Sequence, residues 1–177
     1  MSNARAVVRN WRDSESYMGH DNAIVWPILS PVQADNPSPF NCLTLASGFA
    51  GHSLQGGKST DRHAHAEAEQ YYYMLSGEAE VLIEEERYPM REGSVAYFPP
   101  GVSHQLIGQD NPDWLQYLII TCPVADGNER GSQPRVFNWR DVSPVMGTHG
   151  KAVTWQLLER LDTNAPVTDE PCLLGFW

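Results

Sequence analysis

The sequence predicts an all-β domain built as a sandwich or a barrel. Three features predict it: short runs of β-branched and aromatic residues, turn residues between these runs, and their regular spacing across residues 40–121. Short strands repeated at such a spacing are typical of sandwiches and barrels. The candidate strands are Asn41 to Ala46, the Arg62 to His65 region, Gln70 to Leu75, Ala79 to Glu84, Ser94 to Phe98, His104 to Ile107 and Trp114 to Thr121. Residues 152–161 fit a helix, or a strand followed by a turn, equally well.

Length and charge limit the class of protein. The 177 residues, of which 41% are hydrophobic, suit one domain with its own core. Twelve basic and twenty-two acidic residues give a formal net charge of −10, which repels nucleic-acid phosphates and anionic lipids. The sequence has no run of eighteen apolar residues and no apolar signal-peptide core near its start. We therefore expect a soluble cytoplasmic protein that binds neither nucleic acid nor membrane.

A repeat flanks the predicted barrel. We predict an N-terminal extension over residues 1–40, a barrel core over residues 41–122, and a connection with a C-terminal extension over residues 123–177. The sequence VRNWRDSESYMG at residues 8–19 resembles VFNWRDVSPVMG at residues 136–147. Such likeness fits the front part of a two-barrel protein, or a single barrel with a second copy packed as extra strands. Chance likeness in a tryptophan-containing turn is the third interpretation.

Two histidines two residues apart form the first candidate ligand pair. His63 and His65 stand in the sequence DRHAH on a predicted strand, where side chains at i and i+2 point to one face. Two neutral imidazoles side by side can share one Zn, Fe, Mn, Co, Ni or Cu ion. The pair lies in GxxxxxHxHxxxxQxxxxxxG, from Gly57 to Gly77, and a second block, GxxxxxPxGxxH, ends at His104.

Together these blocks resemble the two characteristic motifs of the cupin superfamily, and the resemblance covers about residues 50–121. It implies a jelly-roll-like barrel that holds one divalent metal ion inside. Carried over position by position, it places metal-binding histidines at His63, His65 and His104. The fourth ligand, usually glutamate in the family, falls on Gln70.

Gln70 and its neighbour Glu69 are alternatives for the fourth ligand. Adjacent strand residues face opposite sides of a sheet, so both cannot point at the metal without a bulge. The spacing to the closing Gly77 favours Gln70. A neutral ligand set leaves the ion its full +2 charge, which strengthens it as a Lewis acid toward an anionic substrate.

Tyr72 is the candidate catalytic residue, because it should share the inward face with Gln70 and could donate or accept a proton. Packing in the core is the alternative role. We expect Tyr71 and Tyr73 to face outward, against another sheet or a second subunit. The remaining histidines have no partner at ligand spacing, and we expect surface or structural roles for them: His20, His52 and His149.

The site predicts a metal-dependent enzyme that acts on a small oxygen-rich substrate, anionic or metal-chelating. The first hypothesis is a dioxygenase that uses Fe(II), with Mn, Ni, Zn, Co or Cu as other possible ions. The second is a non-redox lyase, isomerase or dehydratase, which the neutral Gln70 favours. The third is a binding protein without catalysis. We also expect a homodimer, because such barrels pair through exposed sheet edges.

Overall fold

The computed structural model of the chain describes residues 6–124, 133–146 and 152–159. In these ranges the chain forms fourteen strands and two 3₁₀ helices, Trp11–Asp13 and Trp139–Asp141. No helix among them is long and apolar enough to cross a membrane. The strands are β1 (Tyr17–Gly19), β2 (Ala23–Pro31), β3 (Asn41–Leu43), β4 (Gly48–Gln55), β5 (Ala68–Ser76), β6 (Glu78–Ile83), β7 (Glu86–Arg91), β8 (Ser94–Phe98), β9 (His104–Gly108), β10 (Trp114–Pro123), β11 (Arg135–Asn138), β12 (Val145–Met146), β13 (Val153–Thr154) and β14 (Leu158–Glu159).

Two sheets enclose the core, which confirms the all-β barrel predicted from the sequence. The larger sheet has the strand order β1-β2-β4-β10-β5-β8-β11, and β3 pairs with β2. The smaller sheet has the order β7-β6-β9, and β12 pairs with β13 as a separate hairpin. All of these pairs are antiparallel except β2 with β3. This is a jelly-roll-like arrangement, in which two facing sheets share one interior.

The core consists of alternate side chains from both sheets. Alternation places every second residue of a strand inside, and inward residues of β5 and β8 meet those of β6 and β9 across the barrel. Tyr72 lies in this core at 3% exposure. The buried members are Leu54, Tyr72, Met74, Ala79, Val81, Ile83, Met90, Ala96, Phe98, Leu106, Leu115, Tyr117 and Ile119.

Six of the seven predicted strands correspond to strands of the structure, namely β3, β5, β6, β8, β9 and β10, and the differences have physical reasons. Residues 62–65 form no regular strand: His63 pairs with His104 through an isolated bridge. The sequence analysis missed β4, whose two glycines blur the alternation, and β7, whose Pro89 is tolerated because this strand lies at a sheet edge. It also missed β2. The described part of residues 152–161 contains β13 and β14 and no helix.

The two copies of the Asn-Trp-Arg-Asp sequence fold alike. In each copy the asparagine side chain accepts the N–H of the arginine two residues later, at 3.0 Å for Asn10 and 3.1 Å for Asn138. Each arginine lies over its neighbouring indole ring, at 4.3 and 4.7 Å. Each tryptophan then meets a second tryptophan edge-on, with interplanar angles of 76° and 77°. These pairs are Trp11–Trp26 and Trp139–Trp155.

The hairpin that follows each 3₁₀ helix also has the same register. Met18 lies opposite Ile24 in the β1–β2 hairpin, and Met146 lies opposite Val153 in the β12–β13 hairpin. The two pairs are equivalent when one residue is inserted in the second copy. Agreement of cap, ring contact and register favours a duplicated structural module over chance likeness.

The two copies of the repeat, with the hairpin that follows each, are the two modules, and they contribute different strands to the barrel. From the first module, β2 pairs with β4, whereas the strand that enters the second module, β11, pairs with β8 at the other end of the sheet. The stretch that enters the first module, residues 6–10, belongs to no strand, and its Val8 is 93% exposed. The N-terminal 40 residues therefore supply strands to the sheet. The division at residues 40 and 122 stays a prediction.

The outer face of the larger sheet carries a second apolar cluster. Tyr71 on β5 and Tyr97 on β8 stack at 5.2 Å between ring centroids. Leu158 from the C-terminal segment is buried against them, and Tyr73 packs beside them in part. Tyr71 and Tyr73 thus face away from the core, as the alternation predicts.

The closing glycine of the first motif is required by sterics. Gly77 has φ +84°, and a Cβ there would lie 2.7 Å from the Cα of Leu115. Gly101 has the same φ of +84° with nothing within 4 Å, so it is a matched control for backbone strain alone. We expect Gly101→Ala to cost about 1–2 kcal/mol and Gly77→Ala clearly more, in urea unfolding. Equal losses would contradict the steric argument.

Candidate metal centre

Backbone hydrogen bonds bring the two histidine motifs together. His63 and His104 exchange both N–H···O bonds, at 3.1 and 2.9 Å. The N–H of Gly101 donates to the carbonyl of His65 at 2.8 Å, so the turn before β9 is tied to the first motif as well. Because paired residues present their side chains to the same face, three imidazoles converge inside the barrel.

The three histidines form a compact cluster. One ring nitrogen from each of His63, His65 and His104 lies within 4.8 Å of the others. The ring centroids are 4.6 Å apart for His63 and His104, and 5.0 Å for His63 and His65. His104 is buried, whereas the other two rings are partly exposed. The cluster could hold a metal ion.

Two of these rings face backbone oxygens through Nδ1. Nδ1 of His104 lies 3.0 Å from the carbonyl of Val102, and Nδ1 of His63 lies 3.2 Å from the backbone oxygen of Asp61. Carbonyl oxygens only accept, so Nδ1 of His63 carries the proton and its Nε2 holds a lone pair. In the same tautomer, His104 donates through Nδ1 to Val102 and has a lone pair on Nε2. Metal-binding histidines are commonly held in this way, with the second nitrogen bonded to a protein oxygen.

Two ring nitrogens of the cluster lack a hydrogen-bond partner among the described residues. Nε2 of His63 and Nε2 of His65 are buried without a hydrogen-bond partner among the described residues. Buried polar atoms without partners cost about 1–3 kcal/mol each, so each needs an explanation. A cation between these nitrogens would explain them.

Gln70 points its amide oxygen into the cluster. Its Nε2 donates to the hydroxyl of Thr121 at 3.0 Å, and its Oε1 lies 3.1 Å from Nε2 of His104. With the tautomer described above, two acceptor atoms face each other, which is unfavourable unless a cation or a proton lies between them. The donor set of three imidazoles and one amide oxygen therefore fits a divalent transition metal.

Glu69 faces the opposite side of β5. Its carboxylate accepts hydrogen bonds from the hydroxyl groups of Tyr71 and Tyr97, the latter at 3.0 Å, in the outer apolar cluster. Strand alternation thus separates the two neighbours as expected. The structure brings Gln70, and not Glu69, to the histidines.

Burial keeps two of the imidazoles in the form that binds metal. The pKa of His104 is lowered to about 4, mainly by burial, which the hydrogen bond to Val102 opposes and the neighbouring His63 reinforces. The pKa of His65 is also lowered, first by burial and then by His63. Metal ligation requires neutral imidazole, so these histidines are ready to bind a metal at neutral pH.

Tyr72 lies beside the cluster inside the barrel. Its ring centroid is 5.8 Å from that of His104 and 4.8 Å from that of Phe98. Burial raises the pKa of Tyr72 well above its usual value, and the nearby Tyr117 raises it further. The side chain therefore stays a neutral phenol, which can donate a proton or a hydrogen bond.

The structure adds two histidines that the sequence analysis set aside. His20, in the turn between β1 and β2, stacks on His63 at 5.0 Å with an interplanar angle of 23°. His52 on β4 is 5% exposed and lies 5.6 Å from His20 and 5.2 Å from Tyr117 between centroids. The alternation of His52 with the buried Leu54 is the sequence feature that could have indicated an inward side chain. His149 lies outside the described residues.

His52 and Tyr117 contribute buried polar atoms without partners. Nδ1 of His52 and the hydroxyl of Tyr117 make no hydrogen bond within the described part of the chain. Burial lowers the pKa of His52 to about 3, with a smaller effect of His20, and burial raises the pKa of Tyr117. Two neutral polar groups therefore line the interior and can bond to an oxygen-bearing ligand.

Comparison with known proteins agrees with the fold described above. A family model described as a cupin domain matches residues 52–114. The chain has no significant match among curated protein sequences. Among solved structures it is similar to a protein described as a predicted oxalate decarboxylase from Thermotoga maritima, with TM-score 0.56 and 20% identity. That match covers 67% of this chain and 100% of the other.

Two further solved structures have the same fold. A protein described as glyoxylate induced, from Pseudomonas aeruginosa, matches with TM-score 0.63 and 20% identity over 81% of this chain and 51% of its own. This chain thus spans about half the length of the Pseudomonas protein. KdgF from Halomonas sp. matches with TM-score 0.54 and 14% identity over 69% of this chain and 97% of its own.

His52 gives a testable dependence of stability on pH. Between pH 6.5 and its lowered pKa of about 3, the unfolded chain binds a proton that folded His52 does not, so acid destabilises the fold. The effect is about 1.4 kcal/mol for each pH unit below 6.5, or roughly 2 kcal/mol at pH 5. In metal-free protein, His52→Phe should lose less unfolding free energy between pH 7 and pH 5 than the wild type.

Tyr117→Phe is the matched control for this experiment, because its ring lies beside His52 and does not titrate in the range. Its pH dependence should equal that of the wild type. Parallel curves for wild type and His52→Phe would contradict the placement of His52 as a buried neutral imidazole.

Proposed function

We propose that the chain, whose residues 52–114 match a family model described as a cupin domain, is a metal-dependent enzyme for a small, anionic, oxygen-rich substrate. The convergence of acceptor atoms carries the proposal. The Nε2 atoms of His63 and His65 are buried without hydrogen-bond partners in the described part of the chain, and Oε1 of Gln70 faces Nε2 of His104 at 3.1 Å. A divalent ion bound by His63, His65, Gln70 and His104 would satisfy all four groups at once.

The neutral donor set indicates the substrate class. Imidazole and amide ligands leave a divalent ion its full +2 charge, and Glu69 is held on the other face of the sheet by two tyrosines. When bound, such an ion supplies Lewis-acid stabilisation for an oxygen of the substrate. A carboxylate or a diketone is the chemistry that this charge attracts. The likeness to a protein described as a predicted oxalate decarboxylase supports a carboxylate.

Residues of the chain itself supply the remaining polar chemistry. Tyr72, a neutral phenol beside His104, is the candidate proton donor. His52 and Tyr117 are candidates to hold further substrate oxygens, because their buried polar atoms lack partners among the described residues. The apolar walls formed by Phe98 and its neighbours keep water away from these groups.

A non-redox lyase or isomerase is the reaction class that this arrangement favours. A neutral proton donor next to a fully charged ion suits proton transfer and loss of a carboxylate group, neither of which needs oxygen. The dioxygenase expected from the sequence is the second candidate, because the three imidazoles also suit Fe(II). For the dioxygenase, Fe(II) is the ion that we expect first. For the lyase or isomerase, Mn, Ni, Zn or Co is suitable. A homodimer in the cytoplasm also remains part of the proposal, on sequence grounds alone.

Metal content tests the site. We expect near-stoichiometric divalent metal in the purified wild type, loss of it in His104→Ala, and affinity weakened about tenfold or more in Gln70→Ala, measured by elemental analysis and chelator competition. Glu69→Ala is the matched control, because its carboxylate faces the outer cluster, and it should bind like the wild type. Weak binding in Glu69→Ala with normal binding in Gln70→Ala would exchange the two ligand assignments.

Tyr72→Phe tests the reaction class. With a panel of oxalate, other small carboxylates and β-diketones, assayed in air and under argon, we expect turnover under argon by the wild type. Removal of the phenol should lower kcat by about 10²- to 10⁴-fold with metal content unchanged, because only the proton donor is lost. Substrate-dependent oxygen uptake with no anaerobic turnover would instead establish the dioxygenase.

A further inference from the structure

We propose that His20 and Asp61 are positioning residues of this metal centre, so that the hairpin of the N-terminal module sets the orientation of a metal-binding histidine. The inference rests on the proposed role of His63 as a ligand. It assigns a function to a turn that lies outside both cupin motifs and far from them in sequence.

The contacts form a continuous line from the hairpin to the cluster. Nδ1 of His20 lies 3.0 Å from Oδ1 of Asp61, and Nδ1 of His63 lies 3.2 Å from Oδ2 of the same carboxylate. The carboxylate therefore hydrogen-bonds His20 through Oδ1 and lies beside His63 through Oδ2, while the hydrogen bond of His63 goes to the backbone oxygen of Asp61 at 3.2 Å. The two rings also stack, 5.0 Å apart between centroids and 23° from parallel.

The turn that carries His20 is held against this segment at several points. Asn22 donates its side-chain amide to the carbonyl of Ser59 at 2.8 Å, and the N–H of Asp61 donates to the carbonyl of His20 at 3.3 Å. His20 and Asp21 adopt φ values of +48° and +63°. Such left-handed conformations cost about 1–2 kcal/mol for residues with a side chain, and they persist where surrounding contacts impose them.

The function of this arrangement follows from the chemistry of imidazole. The backbone oxygen and the carboxylate of Asp61 together hold the Nδ1 proton of His63, which aims the Nε2 lone pair at the cluster and makes the ring a better donor. The Asp61 side chain is 38% exposed, so a single contact would leave it free to rotate toward water. His20 holds its second oxygen and covers the ring of His63, which restricts both side chains to one geometry.

Four variants separate positioning from simple support of the fold. Asp61→Asn cannot accept from both rings at once. His20→Phe keeps a stacked ring but removes the donor to Asp61, whereas His20→Asn restores a donor near the position of Nδ1. Asn22→Ala loosens the same turn without touching the carboxylate, and it is the matched control.

The measurements are the dissociation constants for Co(II) and Zn(II) from chelator competition, the visible spectrum of the Co(II) protein, and the urea unfolding free energy of the metal-free protein. We expect Asp61→Asn to weaken Co(II) binding about 10- to 100-fold and to shift the Co(II) bands, as loss of an outer-shell partner does. His20→Phe should weaken binding about tenfold, and His20→Asn should recover most of this. Asn22→Ala should change the unfolding free energy more than the affinity.

Each outcome has a distinct meaning. A wild type that binds no Co(II) or Zn(II) would overturn the metal centre itself, and this inference with it. A wild type that binds metal, beside Asp61→Asn and His20→Phe variants with unchanged affinity and spectra, would overturn the positioning role alone. The positioning role would also be overturned if, across all four variants, the loss of metal affinity were proportional to the loss of unfolding free energy of the metal-free protein.

Discussion

The backbone pairing of His63 with His104 is the contact on which the candidate metal centre depends. The two residues belong to different motifs, and their two N–H···O bonds fix the distance between the two chain segments that carry them. Because paired antiparallel residues share a face, the rings meet at 4.6 Å between centroids. His65 joins them because it lies two residues further along the chain. A local slip of one residue would turn these side chains away from each other.

Electrostatics explains how this cluster could hold a metal ion in an acidic protein. The chain has a formal net charge of −10, yet the carboxylate nearest in sequence to the ligands, Glu69, is bound by tyrosines on the outer face. Burial disfavours charge, so it lowers the pKa of His104 and raises that of Tyr72. The interior thus combines lone pairs that need a cation with neutral groups that can donate protons. This is the combination that a Lewis-acid enzyme uses.

The two copies of the duplicated module show which structural features arise from the local sequence and which from tertiary packing. Its two copies share an asparagine cap, an edge-on tryptophan pair and a hairpin register. All three features are contacts between residues of the same short stretch of chain. Their surroundings differ. In the first copy β2 pairs with β4, whereas in the second copy β11, the strand that leads into the repeat, pairs with β8. Only the first copy therefore brings a turn histidine, His20, onto His63 within the described residues.

The sequence by itself determined what depends on short-range periodicity and motif spacing. It predicted the strand Ser94 to Phe98 with the bounds that the structure has, the inward direction of Gln70 and Tyr72, and the outward direction of Tyr71. These follow from the two-residue period of a strand. The role of each residue as a ligand or a proton donor stays a prediction.

Only the tertiary structure decided which distant residues surround the histidines. His20 and His52 carry no ligand spacing in the sequence, and they meet the site through the packing of β1, β2 and β4 against the segment before β5. The pairing of β2 with β4 is a long-range contact, so no local pattern encodes it. Burial, which sets the pKa of these groups, likewise depends on the whole barrel, because it is fixed by neighbours that are remote in the chain.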